Sequence, residues 1–284
     1  MTRALVIGVR GHTGSQLAPI LVRRGDVQVR GTARDPKTIA IDGVEPVRFV
    51  WEDRSTWSDA LDGGSEVMYI VRPEMGDAAE YIGELVAAAK GIRKVVLLSE
   101  MAADLAPPDD WVVPIERAVM DGGIPWTIVR PASFFQLLVD PNYLLGGIRE
   151  RGKIEWPSEG AHNAFVDAYD IAAVVAEALL TEGHDGKAYT VTGPESLTFA
   201  EVAEKLEAVV GYPVEHVDTS LRATIDEWAG AGLEPWLLDY LRAVLGRVIS
   251  GGFAPVSDDV ERVTGRAPRD IETFFRERAS VWSR

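Results

Sequence analysis

A chain of 284 residues, 46% of them hydrophobic, can bury a substantial core and form one α/β domain with a smaller lobe, or two domains. Its net charge of −15, from 29 Lys+Arg against 44 Asp+Glu, argues against nucleic acid or an anionic membrane as partner, so an anionic ligand must be held by local donors. With no cysteine there are no disulfides, thiolate zinc sites or cysteine nucleophiles, and His12, His162, His184 and His216 make no metal-spaced pair; no metal is expected.

The opening apolar run is about five residues before Gly8 and Arg10, too short for a signal-peptide core, and no later run approaches the roughly 20 residues that span a bilayer. A soluble, cytoplasmic protein is the expectation. From the N-terminus to about residue 131, short β-branched runs alternate with segments of helical spacing. Strands are predicted at Ala4–Ile7, Val27–Gly31, Val47–Val50, Val67–Val71, Lys94–Ser99 and Trp126–Val129, and helices at Gly14–Arg24, Ser55–Leu61, Ala78–Lys90 and Trp111–Asp121. That rhythm predicts a doubly wound, Rossmann-type parallel sheet of the α/β class.

Beyond Arg130-Pro131 the rhythm changes. Ile171–Leu180, Thr198–Val210 and Ser220–Val248 read as helices, with Asp170 as a start signal and Thr198-Phe-Ala-Glu201 spaced as a capping box. Short strands fall near Ala188–Val191 and Val214–Val217, and a last helix at Asp270–Arg278. The expected organisation is a dinucleotide-binding domain over 1–131 and a smaller, mainly helical substrate-side lobe over 132–284, interleaved with the sheet.

The first strand runs into Gly8-Val-Arg-Gly11-His12-Thr13-Gly14, a G-x-x-G-x-x-G turn opening a helix. Glycines let backbone approach a pyrophosphate, and the N–H groups at the helix start point at its charge. Thr13 offers a hydroxyl donor and His12 an imidazole. Twenty residues past Gly14, where an NAD enzyme usually places a carboxylate for the ribose hydroxyls, stands Arg34. A guanidinium there suits a 2′-phosphate, with Lys37 assisting, so the cofactor expected is NADP(H). Asp53, after the third strand, suits either the adenine-side wall or a helix N-cap.

Gly8-x-x-Gly11-x-Thr13-Gly14, Ala33-Arg34-Asp35-Pro36, Trp51-Glu-Asp53 with Thr56-Trp57, and Ile124-Pro-Trp-Thr-Ile-Val-Arg130-Pro131 together resemble the NmrA-like branch of atypical short-chain dehydrogenases/reductases. Phe165-Val-Asp167-x-x-Asp170-Ile171 and Tyr189-Thr-Val-Thr-Gly193-Pro194 extend the resemblance over nearly the whole chain. The tryptophan segment and Asp258-Asp259-Val260-Glu261-Arg262 are most similar to bacterial relatives of the ergot-type festuclavine dehydrogenases. The resemblance implies a Rossmann-type fold, NADP(H), and a substrate cleft between the sheet and the C-terminal lobe. It also implies that the loops Val71-Arg72-Pro73, Ser99-Glu100-Met101 and Pro131-Ala132-Ser133-Phe134 approach the nicotinamide end. From their position after the last of these loops, Phe134 and Gln136 are expected to line the cleft, and Phe135 either to line it or to be core.

Short-chain reductases generally use Tyr-x-x-x-Lys for proton transfer. Counting back from Ile124-Pro125-Trp126 through Glu116, the lysine position falls on Val112 and the tyrosine position on Pro108, so that pair is absent. Two readings follow. One is an NADPH-dependent oxidoreductase reducing a small organic acceptor that needs little acid assistance, of imine, enone or quinone type. The other is a non-catalytic NADP(H)-binding redox sensor of the NmrA type acting through a protein partner. An epimerase or dehydratase on the same scaffold would normally need the missing pair. Catalytic residues stay unassigned: Ser99 ends a strand as a hydroxyl or a turn former, and Tyr143, Tyr169 and His162 are acids without a place. A homodimer is an expected assembly.

Overall fold

The β-branched runs become strands because both faces of a parallel sheet are covered, so near-continuous apolar segments are satisfied there. The computed structural model describes Met1–Arg284. In chain order it contains β1 (Thr2–Val6), α1 (His12–Arg23), β2 (Val27–Ala33), β3 (Val44–Arg48), α2 (Trp57–Leu61), β4 (Val67–Val71), α3 (Ala78–Ala88), β5 (Lys94–Leu98), α4 (Val112–Met120) and β6 (Trp126–Pro131). It continues with α5 (Leu145–Arg151), β7 (Lys153–Trp156), α6 (Ala168–Leu180), β8 (Lys187–Val191), α7 (Phe199–Val210), β9 (Glu215–Asp218), α8 (Leu221–Gly230), α9 (Pro235–Ile249), α10 (Asp259–Thr264) and α11 (Ile271–Arg278).

The chain forms two compact units. The first takes Met1–Arg130, Ala168–Thr190 and Arg262–Gly265; the second takes Pro131–Asp167, Val191–Glu261 and Arg266–Arg284. The first unit is built on a seven-stranded sheet of order β3-β2-β1-β4-β5-β6-β8. Leu5, Met68, Ile70, Val95, Leu97 and Ile128 point to one face and meet Trp57, Ile82, Leu85, Ile115 and Val119 from α2, α3 and α4. On the other face α1 and α6 pack together, and α6 lies against β4 and β5. The doubly wound Rossmann-type architecture is therefore as expected. The chain leaves β1 towards β2 and β3 and returns to β4 on β1's other side, which places the topological switch point between β1 and β4.

Boundaries differ from the sequence reading where tertiary pairing overrides local preference. β3 begins at Val44 rather than Val47 and includes Pro46, which pairs with Gly31. A proline is tolerated there because β3 is an edge strand with one neighbour. α6 starts at Ala168, so Asp170 lies inside its first turn, not before it. The predicted Ser220–Val248 helix is two helices, since Gly232 adopts φ 88° and Pro235 occupies the first turn of α9.

In the second unit β7 and β9 pair in parallel, Lys153 opposite Glu215. Its core gathers Phe135, Phe165, Phe199, Leu206, Phe274, Phe275 and Trp282. Thr198 accepts from the Glu201 N–H while Glu201 accepts from the Thr198 N–H, closing the capping box of α7.

At the edge where β5, β6 and β8 begin, Lys94 is almost fully buried and donates to Thr181 O at 2.7 Å. The Thr181 hydroxyl donates to Glu177 O (2.8 Å), so it accepts from Nε2 of His184 (2.9 Å), leaving Nδ1 to accept from the Tyr189 hydroxyl (2.8 Å). Burial first, then the charges of Lys94 and Lys187, hold the His184 imidazole below its ordinary 6.5. Because the unfolded chain takes up that proton first, stability should be complete above about pH 6.5 and decline as pH falls towards the lower folded value. Melting temperatures across this range should show the slope, and His184→Gln should flatten it.

Candidate functional site

Gly8 follows β1 at the switch point with φ 81°, and its N–H donates to the Thr32 hydroxyl at 3.3 Å. The turn closes when the Gly11 N–H reaches Gly8 O (3.0 Å), and the first bond of α1 is Ser15 N–H to Gly11 O (2.9 Å). Gly11 is the N-cap and supplies no side-chain hydrogen bond, so the N–H groups of Thr13 and Gly14 precede the helical ladder.

The three glycines have different physical reasons. A Cβ on Gly8 would sit 2.2 Å from Cγ1 of Val71, and one on Gly14 would sit 2.2 Å from Gly8 O and 2.9 Å from Val9 Cα. Both are demanded by the protein's own packing. A Cβ on Gly11 would meet Gly8 O at 3.4 Å and nothing else within 4 Å, and Gly11 has an ordinary φ of −71°. Nothing in the protein needs a glycine there. The space it leaves open lies over an uncapped helix N-terminus, whose free N–H groups can take an anion.

The Thr13 hydroxyl is buried and has no hydrogen-bond partner, like the nearby Tyr69 hydroxyl. Burial raises the Tyr69 phenol well above its usual range. What Thr13 presents at the helix end is its backbone N–H. His12 opens α1, half-buried, its carbonyl accepting from the Ser15 hydroxyl.

Arg34 lies just past the end of β2, 73% exposed at its side chain, and its Nη2 donates to both Glu52 oxygens at 3.1 and 3.2 Å. The Glu52 backbone N–H and then Arg34 hold its carboxyl below the usual carboxylate range, against slight desolvation. Asp35 caps the single 3-10 turn that follows by accepting from the Lys37 N–H, and the Lys37 side chain is exposed. Arg10, which the sequence reading passed over, donates from Nη1 to the Thr38 hydroxyl at 3.1 Å, bringing a second guanidinium to the same loop. Asp53 takes the cap position: it accepts from the N–H and hydroxyl of Ser55 and from Arg48, and Ser55 chiefly lowers its pKa.

Further along the carboxyl edge, Val71 ends β4 and Arg72 pairs with buried Glu100 at 2.9 Å, joining the loops after β4 and β5. Arg72 also lies 5.4 Å over the Trp111 ring. Ser99 is 2% exposed; its N–H donates to Val129 O and its hydroxyl donates to Glu116 at 2.5 Å. Its polar groups therefore face inward, which corrects the expectation of a hydroxyl offered to ligand. Glu116 is also gripped at both oxygens by Arg130, at 2.9 and 2.7 Å. A buried glutamate on the apolar stripe Val112, Ile115, Val119 was the available signal, since such a charge must find a partner.

Val112, at the position a lysine would take, is the fully buried first residue of α4, and Pro108 is exposed in the loop before it. Pro131 closes β6. In the second unit, Phe134 forms a bridge with Val166, and Phe135 is core, tilted on Phe274. Gln136 is buried and donates to Asp167 at 2.8 Å, so its amide is committed inside that unit. His162 and Tyr143 are exposed and Tyr169 is half-buried. A cavity of about 540 Å³ lies elsewhere, lined by His184, Lys187 and Tyr189 at the opposite edge of the sheet. No helix is long and apolar enough to cross a membrane.

A family model described as NAD(P)H-binding matches residues 8–182. Over 98% of both chains, 30% of residues are identical to an NAD(P)H azoreductase of Xenophilus azovorans. A festuclavine dehydrogenase of Aspergillus fumigatus is 30% identical over 99% of each chain. Among solved structures, the NADPH-dependent quinone oxidoreductase of Escherichia coli, complexed with NADPH, superposes with a TM-score of 0.79 at 22% identity over 98% of each chain. The negative transcriptional regulator NmrA, in complex with NAD, does so with a TM-score of 0.74 at 15% identity, covering 99% of this chain and 96% of that one. These two structures speak to the fold.

Gly14→Ala should destabilise the folded chain by about 1–3 kcal/mol, because backbone must move to admit the methyl group. Gly11→Ala should stay within about 1 kcal/mol of the parent yet lose more than about tenfold in dinucleotide affinity. Urea unfolding and titration calorimetry separate the two. Glu116→Ala, which leaves the Ser99 hydroxyl without its acceptor and Arg130 with Asp104 as its remaining carboxylate, should cost about 1–3 kcal/mol in the same unfolding assay.

Proposed function

We propose, from the premise that this chain belongs to the NAD(P)H-binding, NmrA-like family of Rossmann-type proteins, that it is an NADPH-dependent oxidoreductase reducing a small organic acceptor. The observation that carries the reading is the open side of Gly11 over an uncapped helix end, between two glycines that packing itself requires. The N–H groups of Thr13 and Gly14 hold the pyrophosphate, and Arg34, with Lys37, takes the 2′-phosphate. When bound, NADPH supplies a hydride.

This chain's residues then orient and position rather than exchange protons. The Arg72–Glu100 pair ties together the loops after β4 and β5, where the resemblance puts the nicotinamide end. The Ser99 hydroxyl donates its hydrogen bond to Glu116, and the Tyr69 phenol is buried with its pKa raised, so neither serves as an acid at that edge. An acceptor that needs no strong protein acid suits such an edge: an iminium carbon already carries positive charge, and a quinone or polarised enone can draw its proton from water. The azoreductase and festuclavine dehydrogenase relatives, both redox enzymes by name, support the class.

Calorimetric titration with NADPH, NADP⁺, NADH and NAD⁺ at one salt concentration, followed by an imine, enone and quinone screen, tests the proposal. Tightest binding of NADPH with turnover of one acceptor class is the expected outcome. Binding that leans to NADP⁺, with no turnover, would favour a redox sensor acting through a protein partner. Arg34→Ala should lower NADPH affinity by about ten- to hundredfold and leave NADH nearly unchanged.

A further inference from the structure

The cation assigned to the 2′-phosphate already holds an anion. Both Glu52 oxygens lie on Nη2 of Arg34, at 3.1 and 3.2 Å, and both side chains are more than half exposed. Two other cations serve the same loop: Arg10, on the Thr38 hydroxyl, and the exposed Lys37. The neighbouring acids are engaged otherwise, Asp35 as the cap of the turn beginning at Pro36 and Asp53 on Ser55 and Arg48. Glu52 is thus the carboxylate set against Arg34.

We infer that Glu52 is a specificity-determining residue: a built-in competitor that the 2′-phosphate must displace from Arg34, and that limits how strongly the protein prefers NADPH over NADH. The inference rests on the reading of Arg34 as the 2′-phosphate ligand. Its physics is a balance of two modest quantities. An exposed ion pair contributes little, so a doubly charged phosphate can take the guanidinium from a single carboxylate. The displaced carboxylate nevertheless stays within a Debye length and repels the phosphate. NADH carries no group for Arg34 to capture, so the closed pair neither helps nor hinders it.

The test is a double-mutant cycle on the intact chain, reading NADPH and NADH affinities by calorimetry for the parent, Glu52→Gln, Arg34→Ala and the double variant. Glu52→Gln should tighten NADPH by about three- to tenfold with NADH changed less than about twofold, and the gain should shrink as salt is raised. In the Arg34→Ala background the same substitution should tighten NADPH by a smaller factor, since only the repulsion between carboxylate and phosphate is then relieved. An unchanged NADPH affinity in Glu52→Gln, with Arg34→Ala still selective against NADPH, overturns the competitor role alone. Selective weakening of NADH by Glu52→Gln also overturns it, since Glu52 would then accept from the ribose hydroxyls. Equal loss of both cofactors in Arg34→Ala overturns the assignment of Arg34 and this inference with it.

Discussion

Where β1 runs into α1, the backbone of Gly14 comes so close to the carbonyl of Gly8 that no side-chain atom fits between them, and Gly8 in turn leans on Val71 at the end of β4. This contact sets the direction of α1 relative to the sheet. It brings the helix N-terminus to the crevice between β1 and β4, the one place in a doubly wound sheet where loops diverge to opposite faces. Gly11, relieved of any packing duty, opens the remaining space. The proposed binding site would arise here as a by-product of how a helix must leave a parallel strand.

The rest of the carboxyl edge is braced by charge pairs withdrawn from water. Glu116 joins the loop after β5 to the end of β6 through Ser99 and Arg130, and Glu100 joins that loop to Arg72 after β4. Buried pairs of this kind are weak sources of net stability but costly to break by halves, so they fix geometry more than they add free energy. Such bracing suits a site whose contribution is orientation. By contrast Arg34, Glu52, Arg10 and Lys37 are exposed at the outer end of β2, where charges can exchange partners at small cost.

Much of this was readable in the chain. β4 and β5 stand within a residue of the stretches their β-branched runs mark, because burial on both faces leaves few polar positions to blur the signal. Short or bent elements were not: α5 and β7 have seven and four residues, too few for a period to show. Around residues 231–235 helical spacing continues across a break that only backbone conformation reveals. At the site, the glycine turn and Arg34 announce themselves by position. Ser99 misleads, because a hydroxyl at a strand end looks available until Glu116, seventeen residues on, claims it.

The sequence by itself determined the strand–helix rhythm, the glycine turn that opens α1, the cation after β2, and a proline and a valine at positions 108 and 112. Each is a matter of residue type at a local spacing, which the backbone's two periods translate directly. Tertiary structure alone decided which of three glycines faces open space, which acids are spent on which bases, and that Thr13 and Gln136 turn inward. Those outcomes depend on pairs such as Arg34 and Glu52, or Gln136 and Asp167, that lie 18 and 31 residues apart and meet only when the chain has folded. No local period encodes such a meeting, because it is set by the packing of whole elements.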